Sequence, residues 1–205
     1  MSRRCDTQLA LIAEVAAVCG ALGIDCWLRG GWAMDFYLGR VTREHSDVDW
    51  LLWAEDADRL VDALDQREYQ RTPEHPADQQ LDFVWHGEVV SFALLARNDA
   101  GEVVVAGGPH AGKAWPASLL APTPGQIGEI RCRVISPEAQ IEIKEMMPVW
   151  VPERPRRPKD RDDLALLRRA VAQRSEARGG KRAPRTGERE RPDHPGLSRR
   201  PRASR

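Results

Sequence analysis

The sequence predicts an α+β domain: a mixed, mostly antiparallel twisted sheet flanked by helices, followed by a basic tail. Three observations predict it. Short apolar or alternating runs interleave with stretches whose apolar residues recur at helical spacing. Tight turns at His86-Gly87 and Asn98–Gly101 join strand-like runs, which makes those strands antiparallel neighbours. Large apolar residues almost vanish after residue 173, Leu197 excepted.

Thr7 caps a predicted helix running to Leu22, with Leu11, Val15 and Val18 on one stripe and Gly23 as its stop. Ile24–Leu28 reads as a strand. Gly30-Gly31 is a tight turn into a short helix, Trp32–Leu38, which Gly39 ends. Asp47–Trp53 alternates and then turns fully apolar, so it is a strand. Glu55–Arg67 is a helix, with acids in its first turn where the helix dipole favours them. Residues 71–80 are polar with two prolines and are expected as loop. Leu81–Trp85 and Val89–Leu95 form a hairpin, and Val103–Val105 adds a strand. Residues 107–127, rich in Gly and Pro, are expected as extended loop, and Ile130–Ile135 as strand. Ser136-Pro137-Glu138 combines a cap, a proline at the first helical position and an acid, so a helix runs from there to near Pro148. A Pro/Arg-rich connector, 152–158, leads to a last helix over 160–173.

Two units are therefore expected, one domain over residues 1–173 and a disordered Arg/Pro-rich tail over 174–205. The 205 residues carry 31 basic and 31 acidic side chains. Eleven of the basic and four of the acidic ones lie after residue 173, so the tail is basic and the body mildly acidic. An acidic body argues against a compact nucleic-acid-binding domain and leaves only the tail for such contacts. No apolar run approaches 18 residues, so no membrane span is expected. The first residues do not read as a secretory signal. Cys5, Cys19, Cys26 and Cys132 are too scattered for a disulfide framework. Together these lead to the expectation of a cytoplasmic protein.

The chemistry concentrates in Arg29-Gly30-Gly31-Trp32 and in Arg43-Glu44-His45-Ser46-Asp47-Val48-Asp49. Alternate residues of a strand share a face, so Asp47 and Asp49 present two carboxylates together. They repel unless a cation lies between them, and an oxygen-only pair suits Mg²⁺, which completes its shell with substrate phosphates. Gly30 and Gly31 let backbone approach a ligand closely, and the following helix start offers free N–H donors to phosphate. Arg43 is a candidate to neutralise phosphate charge. His45 is a candidate to bond a phosphate or to orient Asp47.

The run Gly30-Gly31-Trp32-Ala33-Met34-Asp35, with Leu38-Gly39-Arg40-Val41-Thr42-Arg43-Glu44-His45-Ser46-Asp47-Val48-Asp49, resembles the small aminoglycoside and lincosamide nucleotidyltransferases. These belong to the DNA-polymerase-beta-like nucleotidyltransferase superfamily, and the aminoglycoside 2''-adenylyltransferases look the most similar. The resemblance is dense over residues 27–53. It continues thinly through Ile127-Gly128, Cys132, Ser136-Pro137-Glu138 and Lys159-Asp160-Arg161-Asp162-Asp163-Leu164, and leaves the tail uncovered. It implies a nucleotidyltransferase fold and transfer of a nucleoside monophosphate, AMP from ATP or another NTP, to a hydroxyl of a small molecule such as an aminoglycoside. In that scheme Asp47 and Asp49 hold Mg²⁺ against the triphosphate, and Gly30 and Gly31 cradle its phosphates.

The resemblance also implies a third carboxylate on a neighbouring strand, and the matching position holds Ser91. Three readings stay open at this point. Asp82, directly across the hairpin from Ser91 if the turn centres on His86-Gly87, supplies the missing acid as a catalytic residue. Glu88 supplies it through a shifted register. Or no general base is needed and the protein is a slow enzyme or a nucleotide binder without transfer. A toxin-type nucleotidyltransferase acting on RNA or protein, tethered by the basic tail, is the further alternative.

Other residues read as structural. Most tryptophans are core, with Trp115 and Trp150 as candidates to line an acceptor pocket. Met146 and Met147 fill core gaps, and Lys144 and Lys159 are solvated unless they reach a phosphate. His75, His110 and His194 lie in loops without metal-ligand spacing.

Overall fold

The computed structural model describes residues 2–179. The first helix, α1 (Arg3–Leu22), begins earlier than expected because Ser2, not Thr7, caps it: the Cys5 N–H donates to Ser2 Oγ at 3.4 Å. Thr7 Oγ1 instead donates to the carbonyl of Arg3. By length and composition α1 is apolar enough to cross a membrane. Here it buries Leu11, Ile12 and Val15 completely inside the domain.

The next elements are β1 (Cys26–Arg29), α2 (Gly30–Leu38), β2 (Val48–Trp53), α3 (Ala57–Asp65) and β3 (Gln70–Thr72). Then come β4 (Gln80–Trp85), β5 (Glu88–Arg97), β6 (Val103–Val105), β7 (Pro124–Ile127) and β8 (Ile130–Arg133). Two helices follow, α4 (Pro137–Trp150) and α5 (Pro158–Gly179). Two strands, β3 and β7, fall where loop is expected: β3 is a polar edge segment with no apolar period, and β7 opens on Pro124 and Gly125. Helix α4 passes through Pro148 to Trp150, and α5 continues over residues 174–179, which composition assigns to the tail. The rest of that tail, 180–205, lies outside the described residues.

The main sheet has the order β1-β2-β5-β4-β3, with β6 pairing the far end of β5. Only β2 and β5 run parallel; every other pair is antiparallel, as the α+β expectation has it. Trp50, Phe83, Val90 and Phe92 are fully buried, and α1 packs against β5 and α3. Helix α2 packs on β1, β2 and the β7–β8 hairpin, and α4 and α5 pack on each other and on α2. Between α4, α5 and the sheet face that carries Asp49 and Ser91 lies a cleft of about 580 Å³.

Candidate active site

Sheet register builds the floor of the cleft. Arg29 on β1 pairs with Asp49 on β2, Asp49 pairs with Ser91 on β5, and Ser91 pairs with Asp82 on β4. Paired residues share a face, so Arg29, Asp49, Ser91 and Asp82 form one row across four adjacent strands. All four line the cleft, together with Gly30 and Asp47. The hairpin turns at His86-Gly87, with both residues at positive φ, which fixes Asp82 opposite Ser91.

Gly30 follows Arg29 at φ +70°, a left-handed conformation that favours glycine. A Cβ at Gly30 would lie 2.8 Å from Asp49 Oδ2. The bend and the aspartate are thus in contact, and any side chain at 30 would displace the carboxylate. Asp47 is exposed just ahead of β2. Burial pushes the Asp49 carboxyl above the usual aspartate range; Arg29 opposes this and Asp47 adds to it.

Gly31 serves a different purpose. A Cβ there would collide with the His45 ring and the Arg43 guanidinium, and Gly31 does not line the cleft. His45 is buried, with Nε2 2.8 Å from Asp35 Oδ2, Nδ1 2.9 Å from Arg43 Nη1, and its ring centroid 4.5 Å from that of Trp32. Asp35, fully buried, also accepts from the Thr42 N–H and hydroxyl. Arg43 forks onto Asp163 at 3.0 and 3.2 Å. Neither His45 nor Arg43 is among the residues that line the cleft. Their bonds to Asp35 and Asp163 hold the loop that precedes Asp47.

Glu88 is also excluded from the floor. Three residues before Ser91 on one strand, it points to the opposite face, where Gln8 Nε2 donates to it at 2.7 Å and Arg4 Nε at 3.0 Å. Asp82 is surrounded differently. Ser91 Oγ donates to its Oδ1 at 2.7 Å, Gln80 Nε2 at 2.6 Å, and His75 Nδ1 lies 2.8 Å from its Oδ2.

The wall comes from the C-terminal helices, where sequence reading expects solvated lysines. Lys144 is largely buried, 2.7 Å from Asp163 and 3.7 Å from Asp160. Arg157 donates its backbone N–H and its guanidinium to Asp160 at the start of α5. With Arg154 and Arg156 on the same connector, these cations face a floor of carboxylates. Burial lowers the Lys159 ammonium, and Arg157 and Arg43 add to that. Met147 lines the cleft instead of filling the core, whereas Trp115 lies under the Arg29 guanidinium and Trp150 is away from the cleft lining.

Residues 11–167 match the family model of the aminoglycoside-2''-adenylyltransferases. The chain belongs to that family. A 2''-aminoglycoside nucleotidyltransferase of Escherichia coli is 31% identical over 126 residues, which span 55% of this chain and 71% of the relative. A protein of the same name from Klebsiella pneumoniae matches equally. The fold is that of ANT(2")-Ia, solved with adenylyl-2"-tobramycin: TM-score 0.63, 23% identity, over 85% of this chain and 99% of that one. The lincomycin-bound lincosamide adenylyltransferase LnuA superposes with a TM-score of 0.60 at 18% identity, over 76% of this chain and 92% of that one. This member of the aminoglycoside-2''-adenylyltransferase family is a nucleotidyltransferase.

Sequence reading leaves several cleft residues unassigned. Arg29 is signalled only by its place before Gly30. Gln80 and His75 are carried in by β4 and the loop before it, and Lys144 by long-range pairing with Asp163.

Proposed function

We propose that the chain transfers AMP from ATP, with Mg²⁺, to a hydroxyl of an aminoglycoside. The observation that supports this most is the row of Asp49, Ser91 and Asp82 beside the Gly30 bend, inside a cleft walled by cations. Asp47 and Asp49 suit a hard divalent cation: both donors are oxygen, Asp47 adds to the charge cost of Asp49, and Asp49 is held half-buried on the cleft floor. When bound there, the ion offsets charge on the transferring phosphoryl group and on the departing pyrophosphate.

The protein's own groups do the rest. Gly30, lacking a side chain, leaves the approach to Asp49 open. Arg154, Arg156, Arg157 and Lys144 supply positive charge for a triphosphate from the wall. Asp82 returns a carboxylate to the row where Ser91 lacks one, which favours transfer over nucleotide binding alone. Glu74 and Asp82, with Asp47 and Asp49, give the acceptor side a negative potential that suits a polycationic acceptor.

The test is a transfer assay with Mg²⁺ and each labelled NTP against aminoglycosides, lincosamides, tRNA and the protein alone. AMP on an aminoglycoside is the expected product. Label found only on RNA or protein, or on nothing, overturns the reading.

A further inference from the structure

A group that removes a proton from an acceptor hydroxyl needs a free lone pair and access to the substrate. Asp82 has little access: its side chain is 3% exposed, its Oδ1 already accepts from Ser91 and Gln80, and its Oδ2, with one lone pair left, faces His75. His75 lies on the loop between β3 and β4, its side chain is 34% exposed, and it lines the cleft. Nδ1 lies 2.8 Å from Asp82 Oδ2 and 3.2 Å from Gln80 Nε2; the tautomer that carries its proton on Nδ1 donates to the carboxylate and leaves the lone pair on Nε2. The shape of the imidazole directs Nε2 away from Asp82.

We propose that His75 is the catalytic residue that takes the acceptor's hydroxyl proton, with Asp82 as its positioning residue; this rests on the transfer reading above. The hydroxyl oxygen attacks the α-phosphorus of the nucleoside triphosphate. An O–P bond forms as the bond from the α-phosphorus to the bridging oxygen breaks, and pyrophosphate leaves with that electron pair. The hydroxyl proton passes to His75 Nε2, and the imidazolium so formed faces the Asp82 carboxylate before releasing the proton to water. Ser91 fits this arrangement. An acid at 91 would stand between Asp49 and Asp82, two like charges, whereas its hydroxyl donates to Asp82 and holds it for His75.

The test uses the full chain and the acceptor that the wild type modifies, with H75A, H75Q and D82N. H75A is expected to lose about 10²–10⁴-fold in kcat, with the nucleotide KM and melting temperature unchanged, and to regain turnover when imidazole is added. H75Q is expected to be as slow as H75A, and D82N slow and insensitive to imidazole. Turnover of H75A within roughly threefold of wild type overturns the proposal. So does a normally melting H75A that imidazole fails to rescue, or a dead D82N beside an active H75A, which makes Asp82 the direct base. A wild-type chain that transfers nothing to any acceptor sinks the transfer reading as well, whereas an active wild type with an active H75A sinks only this inference.

Discussion

Asp49, half-buried on the cleft floor, and Asp163, fully buried behind Lys144 of the cleft wall, have surroundings that push them in opposite directions. Burial raises the Asp49 carboxyl, and Asp47 adds to the rise against the pull of Arg29. Burial also acts on Asp163, but hydrogen bonds from Arg43 and Lys144 outweigh it and hold the group below the usual aspartate range. A buried carboxylate that is fully paired ties elements together; one left beside a second carboxylate is costly until a cation arrives. The pair separates residues that build the cleft from those that work in it.

Asp49→Asn tests the working side. Transfer activity is expected to fall on the order of 10³-fold, while the melting temperature holds or rises, because the substitution removes a charge that burial disfavours. A melting temperature that drops as far as activity breaks the contrast. Gly30→Ala comes next: its Cβ meets Asp49 Oδ2 and its backbone is at positive φ, so kcat/KM should fall about 10²-fold, read in the same assay. Asp163→Asn tests the tying side and should cost about 3 kcal/mol by stranding Arg43 and Lys144. That is a drop of roughly 6–12 °C by calorimetry, and an unchanged melting temperature would show that the ties are idle.

The smallest effect is the response to acid. Asp160 and Asp163 both ionise more easily in the folded chain than in the unfolded one; for each, burial raises the pKa, but bonds from Arg157 or from Arg43 and Lys144 outweigh it. Their contribution is therefore complete above the ordinary aspartate pKa, near pH 4, and is lost as pH falls through the lower folded values. Melting curves for wild type and Asp163→Asn should converge below about pH 4. Parallel curves down to pH 2 would refute the assignment.

What could be read from the sequence follows from how far apart the interacting residues are. The Gly30 bend, the strand at Asp49 and the two-residue hairpin turn are local, and sequence spacing places Asp49 and Asp82 in the strands and register the structure has, whereas Asp47 lies just ahead of β2 instead of on it. The contacts of Arg43 and His45 are not local: Arg43 finds Asp163, 120 residues away, and is tied to it. Gly31 has the same history, since its lack of a side chain answers to the His45 ring. Lys144 looks like a surface lysine on its own helix and is buried only because α5 packs on α4. His75 sits in a Pro-flanked polar segment with no periodicity, so nothing in the sequence marks it before β4 turns Asp82 toward it. The edge strands β3 and β7 escaped for a related reason: one is polar, and the other begins with Pro and Gly.

The pairing of Asp82 with Ser91 has a consequence for how such proteins are compared. Facing positions on antiparallel strands share one face of the sheet, so a carboxylate absent at 91 has a neighbour one rung across, at 82. A column-by-column alignment does not show that neighbour; the strand register does.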